Sequence, residues 1–454
     1  MPDQSPGKPE QDKSPEQSWH NKPDEPSGQP ERGARKKRSH PVAALYHRNF
    51  RLFWGGQLIS LVGTWMQNVG QAWLVLQLTN SAFFLGLVSA VQFTPVLLFS
   101  LPAGVVADRL PKRTLLLFTQ TVLLLQALVL GLLVKSHVVQ YWHVLALATL
   151  LGMVNTLDVP ARQAFVFDLV GREDLMNAIA LNSSAFNAAR IVGPAVAGIL
   201  MGTWGVGTAF LLNAASFLPV IAGLALIRLE GRRRGPESHR PPAMRLDVHG
   251  GHLWEGIQEG LSYIRKTPAI SMALLLLGAL SIFAMNFNIL VPLFARNVLH
   301  QGARGYGFLM SAMGIGALAG ALSLAFLSHR GPRKLLLFGG ALGLSFFQML
   351  LAPVRFYPLA LVVMFTIGWS MITFVATVNT TVQASVPDEL RGRVMSVYSL
   401  LLGGLTPFGS LFAGSVAHAL GPPATLVIGG GIGLLFALSV IRRNSPGKIQ
   451  EDKR

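Results

Sequence analysis

Long apolar stretches, repeated from residue 42 almost to the C-terminus, constrain this chain more than any other feature of its sequence. A helix needs about 20 apolar residues to cross the hydrocarbon core of a bilayer. Lipid offers no partner to a backbone N–H or C=O, so runs of this kind must pair their backbone internally, as helices. That ruler predicts crossings at residues 50–78, 82–107, 114–135, 141–166, 176–202 and 206–228, then at 269–295, 305–328, 334–353, 356–383, 393–418 and 422–441. With 51% hydrophobic and 13% charged residues, the chain would be poorly solvated as a water-soluble protein. The 47 glycines suit close helix approach in a membrane. The expected class is therefore all-α and polytopic, with twelve transmembrane helices in two six-helix bundles.

The net charge of +17 does not point to nucleic acid, because the cations punctuate the apolar runs and do not gather on one soluble domain. All but five of the 38 Lys and Arg residues fall in segments that alternate topology places on one side. The exceptions are Lys135, Arg296, Arg304 and Arg355 in loops on the other side, and Arg190 within a span. Positive residues stay on the cytoplasmic face, so both termini are expected in the cytoplasm of a cell bounded by this inner membrane.

Residues 1–41 are rich in Pro, Glu, Gln, Lys and Ser and contain no apolar signal-peptide core. Such a segment buries too little apolar surface to offset its ordering entropy and is expected to be a disordered basic tail. Residues 42–228 form the first bundle, and 229–252, rich in Arg, Pro and Gly, the cytoplasmic linker. Residues 253–441 hold an amphipathic helix, with Trp254, Ile257, Leu261 and Ile264 at helical spacing, and then the second bundle. Residues 442–454 are a cytoplasmic tail. Echoes between the halves, such as Asp108–Arg113 after the second span and Ser328–Lys334 after the eighth, suggest an internal duplication.

The strongest local signal is Gly104-Val-Val-Ala-Asp108-Arg109-Leu-Pro-Lys112-Arg113. It resembles the G-x-x-A-D-R-x-x-K/R-R loop of the major facilitator superfamily, and the twelve-helix layout extends that resemblance over residues 41–441. The resemblance implies two bundles rocking about a central cavity, with this loop as a gating latch made by Gly104, Asp108, Arg109, Lys112, Arg113 and Arg162. Gly104 would permit close helix packing, and Asp108 would accept from cations and helix N-termini of the opposite half. Asp158-Val-Pro-Ala-Arg162-Gln-Ala-Phe-Val166 and Asn177–Ser183 look like the branch that includes enterobactin exporters and many drug exporters. Gly193, Pro194 and Gly198 match part of the antiporter motif of exporting members, with alanines at its other glycine positions. They imply an antiporter-like helix bend.

Asp158 and Arg162, four residues apart, share a helix face that must avoid lipid. An ion-pair relay with Asp108 at the inner gate is the favoured reading, and binding of the coupling proton by Asp158 is the alternative, because a paired carboxylate is held ionised. Arg190 lies about 21 Å along its span, near the bilayer middle, and Asn187 is on the same face. Arg190 either meets an anionic group in the central cavity or cross-links neighbouring carbonyls. Polar residues inside apolar runs mark further cavity candidates: Gln67, Asn68, Gln71, Gln92, Asn286, Asn288, Asn379 and Gln383. Trp65, Phe93 and Trp369 are the expected aromatic walls.

No paired intramembrane carboxylates, zinc-type cluster or nucleotide P-loop is found, so no enzyme activity, cofactor or metal is expected. Zero cysteines removes disulfides and thiol chemistry. The resemblance implies a monomeric secondary transporter in the bilayer, with no nucleic-acid partner. It would export a small amphipathic molecule (siderophore, drug or metabolite) by alternating access in exchange for protons. A lysophospholipid flippase of the same fold, a non-transporting receptor or scaffold, and an importer are the alternatives.

Overall fold

A computed structural model describes residues 42–227, 250–327 and 334–443, apart from the side chains at 101, 108, 250–257, 327 and 443. The expectations placed on the tail before 42, on most of the 229–252 linker and on residues beyond 443 lie outside the described residues. After a 3-10 turn at Ala43–Tyr46 come α1 (Arg48–Thr79), α2 (Ala82–Arg109), α3 (Lys112–Lys135), α4 (Tyr141–Val170), α5 (Leu175–Trp204) and α6 (Val206–Leu226). The remainder comprises α7 (Gly250–Lys266), α8 (Pro268–Phe283), α9 (Phe287–Asn297), α10 (Ala303–Leu327), α11 (Lys334–Leu351), α12 (Tyr357–Ser385), α13 (Asp388–Ser399) and α14 (Thr406–Arg443). No strand is found among the described residues.

Ten stretches among the described residues are long and apolar enough to span a bilayer. One of them, Asp388–Arg442, is 55 residues long and turns back at Gly421, so it holds two crossings. Adding α1, a 32-residue helix interrupted by glutamines, is consistent with the expected twelve. Gly421 (φ 83, ψ 165) has a counterpart in Gly205 (φ 84, ψ 165), which joins α5 to α6. Side chains with a Cβ rarely adopt this backbone conformation. The same hinge at the same place in both halves is structural evidence of the internal repeat.

Two expectations change. The seventh span, read from sequence as one helix over 269–295, breaks at Ala284–Asn286 into α8 and α9. Asn286 Nδ2 donates to the Ile282 carbonyl at 2.7 Å, and this side-chain competition for a backbone acceptor ends the helix. The eleventh span starts at Asp388 and not at 393, because Asp388 and Glu389 fall in the first turn, where acids favour a helix N-terminus. Leu400–Gly404 then makes one π-helical turn, with the Leu405 N–H donating to the Leu400 carbonyl at 3.1 Å. The amphipathic helix is present as α7, whose Glu259 pairs with Arg393 of α13.

Small residues set the packing. A Cβ at Gly56 of α1 would lie 2.8 Å from the Pro219 carbonyl of α6, so these helices touch backbone to backbone. Two further seams join the first six helices to the rest. On one, Gly86 of α2 faces Gly414 of α14, and on the other Gly198 of α5 faces Gly307 of α10; Cβ positions at Gly86 and Gly198 lie 3.0 Å from the partner's Cα. Both seams lie toward the end of the bundle that carries Asn80, Gly205 and Gly421, here the tight-turn end. The opposite, basic end carries Arg109–Arg113 and Arg162.

Candidate functional site

A cavity forms where α1, α2 and α9 meet. Asn68, Gln71, Ala72 and Val75 of α1 recur at helical spacing on one face, and Leu85, Val88, Ser89 and Gln92 of α2 do the same opposite them. Asn288 and Ile289 of α9 complete the lining with Phe93. The break at Asn286 matters here, since it places Asn288 in the first turn of a new helix facing the first bundle. Gln71 Nε2 donates to Gln92 Oε1 at 2.7 Å, while Gln71 Oε1 is buried without a partner among the described residues. The cavity thus presents four carboxamides, one hydroxyl and one aromatic ring, and no ionisable side chain.

Four of the candidates named from sequence, Asn68, Gln71, Gln92 and Asn288, meet on this cavity, as does Phe93. Others do not. Gln67 points away into the first bundle, donating to Gln126 of α3 at 2.9 Å and accepting from Asn213 of α6 at 2.6 Å. Asn286 is occupied in ending α8. Asn379 Oδ1 accepts from Gln383 Nε2 near the basic end of α12. Trp65 packs edge-on to Phe186 with ring centres 5.6 Å apart, and the Trp369 indole reaches Ser323 at 3.4 Å. Gln126 and Asn213 were not among the sequence candidates, although each is a lone amide in an apolar run, the same signal that marked Gln67.

Arg190 sits at mid-helix on α5 and is 8% exposed. Its carbonyl abuts Gly314 of α10, and the neighbouring Ile191 carbonyl accepts from Ser311 at 2.8 Å, so it lies on the seam between the halves. The guanidinium makes no hydrogen bond or ion pair among the described residues, and its Nε is buried. Asn187, one turn nearer the basic end, donates to the Ser183 carbonyl at 2.8 Å.

Asp158 is 1% exposed and has both oxygens engaged. Thr119 and Gln120 of α3 donate to Oδ1 at 2.6 and 2.8 Å, and Arg162 donates to Oδ2 from Nε at 3.0 Å and also from Nη2. Thr119 and Gln120 were missed from sequence because their helix alone gives no hint of a carboxylate opposite. At the basic end, Lys112 pairs with Asp168 at 3.2 Å, and Arg113 donates to the Leu224 and Ala225 carbonyls at 2.7 and 2.8 Å. A cation there satisfies the last carbonyls of α6. Arg109 is exposed, and the side chain of Asp108 lies outside the described ones. A Cβ at Gly104 would meet nothing within 4 Å among the described residues.

The tight-turn end is closed by contacts between the halves. Ser89 and Ser410 hydroxyls are 2.9 Å apart, Arg296 Nη1 donates to the Leu76 carbonyl at 3.0 Å, and Trp73 stacks on Tyr306 with ring centres 5.9 Å apart. Gly193 lets α5 approach α1, its Cβ position 2.9 Å from the Val62 carbonyl. Helix α5 continues through Pro194, whose carbonyl abuts Gly307.

The family model described as transmembrane secretion effector matches residues 39–453. The chain is 27% identical to the multidrug efflux pump Tap of Mycolicibacterium fortuitum, covering 78% of this chain and 86% of the relative. It is 27% identical to the staphyloferrin A transporter of Staphylococcus aureus (84% and 92% covered) and 26% to the enterobactin exporter EntS of Shigella boydii (87% and 93%). Among solved structures, the nucleoside transporter NupG superposes with TM-score 0.66 at 12% identity, covering 87% of this chain and 98% of that one. An inward-facing, unoccupied bacterial homologue of the human lysosomal transporter Spinster gives 0.66 at 12% identity, covering 88% and 95%. The chain is a multi-pass membrane transporter of the major facilitator fold, and it belongs to the transmembrane secretion effector family of that superfamily.

Proposed function

We propose that this transporter exports a small amphipathic molecule from the cytoplasm by alternating access, in exchange for protons. The observation that carries the reading is the amide-lined cavity at the junction of the halves, sealed on one side by the Ser89–Ser410, Arg296–Leu76 and Gly198–Gly307 contacts. Basic loops favour the cytoplasmic side. On that orientation the seal is periplasmic or extracellular, and the arrangement is the inward-open state that loads cargo. Relatives named for multidrug efflux, staphyloferrin A transport and enterobactin export support a siderophore, a drug or a similar metabolite as the cargo class.

The cavity amides offer donors and acceptors to polar groups of the cargo, and Phe93 with Val75, Val88 and Ile289 offers apolar surface to its rings or chains. Asp158 is read as structural, a buried strut tying α3 to α4 at the basic end. One observation favours a second role: it is the only acid well inside a span, so proton coupling through a membrane carboxylate would have to use it.

Inverted vesicles containing the chain, given a panel of dyes and siderophores with and without a proton gradient, test the reading. Gradient-dependent accumulation is expected, and movement indifferent to the gradient would sink antiport. If Asp158→Asn uncouples transport from protons yet leaves downhill movement intact, the purely structural reading of Asp158 is wrong.

A further inference from the structure

The distribution of intramembrane charge bears on the kind of cargo. Asp158 is the only acid well inside a span, and Arg162, Thr119 and Gln120 take up both of its oxygens. The cavity lined by Asn68, Gln71, Gln92 and Asn288 has no ionisable group. Arg190 is the cation nearest the bilayer middle, more than nine-tenths buried and unpartnered among the described residues. It lies on the α5–α10 seam, where Ser311 reaches the Ile191 carbonyl. A guanidinium held in this setting strongly favours an anion as partner, because its alternatives are water or a misaligned carbonyl. Among the described side chains within the spans, no carboxylate stands free to receive a cationic cargo, and Arg190 is a fixed positive charge that would repel one.

Resting on the exporter reading above, we propose that the path selects anions and that Arg190 binds an acidic group of the cargo. A carboxylate or catecholate suits the fork of the guanidinium, while the amide cavity receives neutral polar groups of the same molecule. A lipophilic cation is the class the path discriminates against.

The test uses two dyes on one xanthene scaffold, anionic carboxyfluorescein and cationic tetramethylrhodamine methyl ester, with binding read by fluorescence polarisation on the purified full-length chain. The wild type is expected to bind the anion at least tenfold more tightly. Arg190→Gln should lose that preference by on the order of ten- to a hundredfold, the value of a charge-assisted hydrogen bond, and Arg190→Lys should keep part of it. Equal or tighter binding of the cation, an unchanged preference in Arg190→Gln, or no saturable binding of either dye overturns the proposal. If Arg190→Gln does not fold, Arg190→Lys decides, since loss of the fork geometry should still weaken the anion alone. Uptake of carboxyfluorescein into inverted vesicles separates the two readings. Arg190-dependent binding without gradient-driven uptake removes the exporter reading and leaves the anion site, whereas uptake indifferent to Arg190→Gln does the reverse.

Discussion

Gln126 and Gln348 occupy the same position, the fifteenth residue, in α3 and α11, yet their surroundings differ. Gln126 accepts from Gln67 at 2.9 Å and donates to the Leu147 carbonyl at 3.3 Å. Gln348 is fully buried with both amide atoms unpartnered among the described residues, beside an unpartnered Ser345 hydroxyl. Asn213 of α6, which donates to the same Gln67 that pairs with Gln126, has Gly429 at the matching place in α14, eight residues into each terminal crossing of its half. Replacing Gln126 by Leu should therefore lower the thermal midpoint of the purified protein, by a loss of about 1–3 kcal/mol per stranded polar partner. Gln348→Leu should leave it unchanged or raise it. A larger loss at Gln348 than at Gln126 would mean that the second amide has a partner such as buried water. At Asp158, substitution by Asn leaves the Arg162 guanidinium without its counter-charge, and the same melting assay should show a drop of about 2 kcal/mol or more.

At the scale of elements, the seams carry the predictions. Gly86 and Gly414 allow α2 and α14 to touch, and a Cβ at these positions would lie 2.5 Å from the Ser410 carbonyl and 2.9 Å from the Ala82 carbonyl, well inside van der Waals contact. Gly86→Leu should force this seam apart and shift the population toward the state open at the tight-turn end. Each 1.4 kcal/mol of strain placed on the closed state changes the ratio about tenfold. The natural sequence has no cysteine, so Ser410→Cys provides a single label site without background. Its labelling by an impermeant maleimide should quicken severalfold in the Gly86→Leu background, and an unchanged rate would mean the seam is not a gate. The break between α8 and α9 depends on Asn286 acting as a local donor to Ile282. Asn286→Ala should lower transport more than stability, because it loosens the placement of Asn288 on the cavity. Equal losses in both assays would assign Asn286 to folding alone.

For the whole molecule, the sequence made the crossings legible because the bilayer imposes one length and one sign of side chain on every span. The same physics made visible that Gln67, Asn68, Gln71, Gln92 and Asn288 avoid lipid. Hydropathy could not assign each of them a neighbour. A bundled helix has several protein neighbours, so Gln67 and Gln71, only one turn apart, reach α6 and α2 respectively. The break at Asn286 and the carboxylate site built by Thr119 and Gln120 follow from what each helix packs against. The membrane, the helices and the asymmetry of charge are properties of single segments, legible before any packing, since they follow from transfer free energies summed along one stretch of chain. Which amides form the cavity, and that Arg190 stands unpaired at the seam among the described residues, depend on pairs of residues far apart in the chain, so they emerge only when the helices pack.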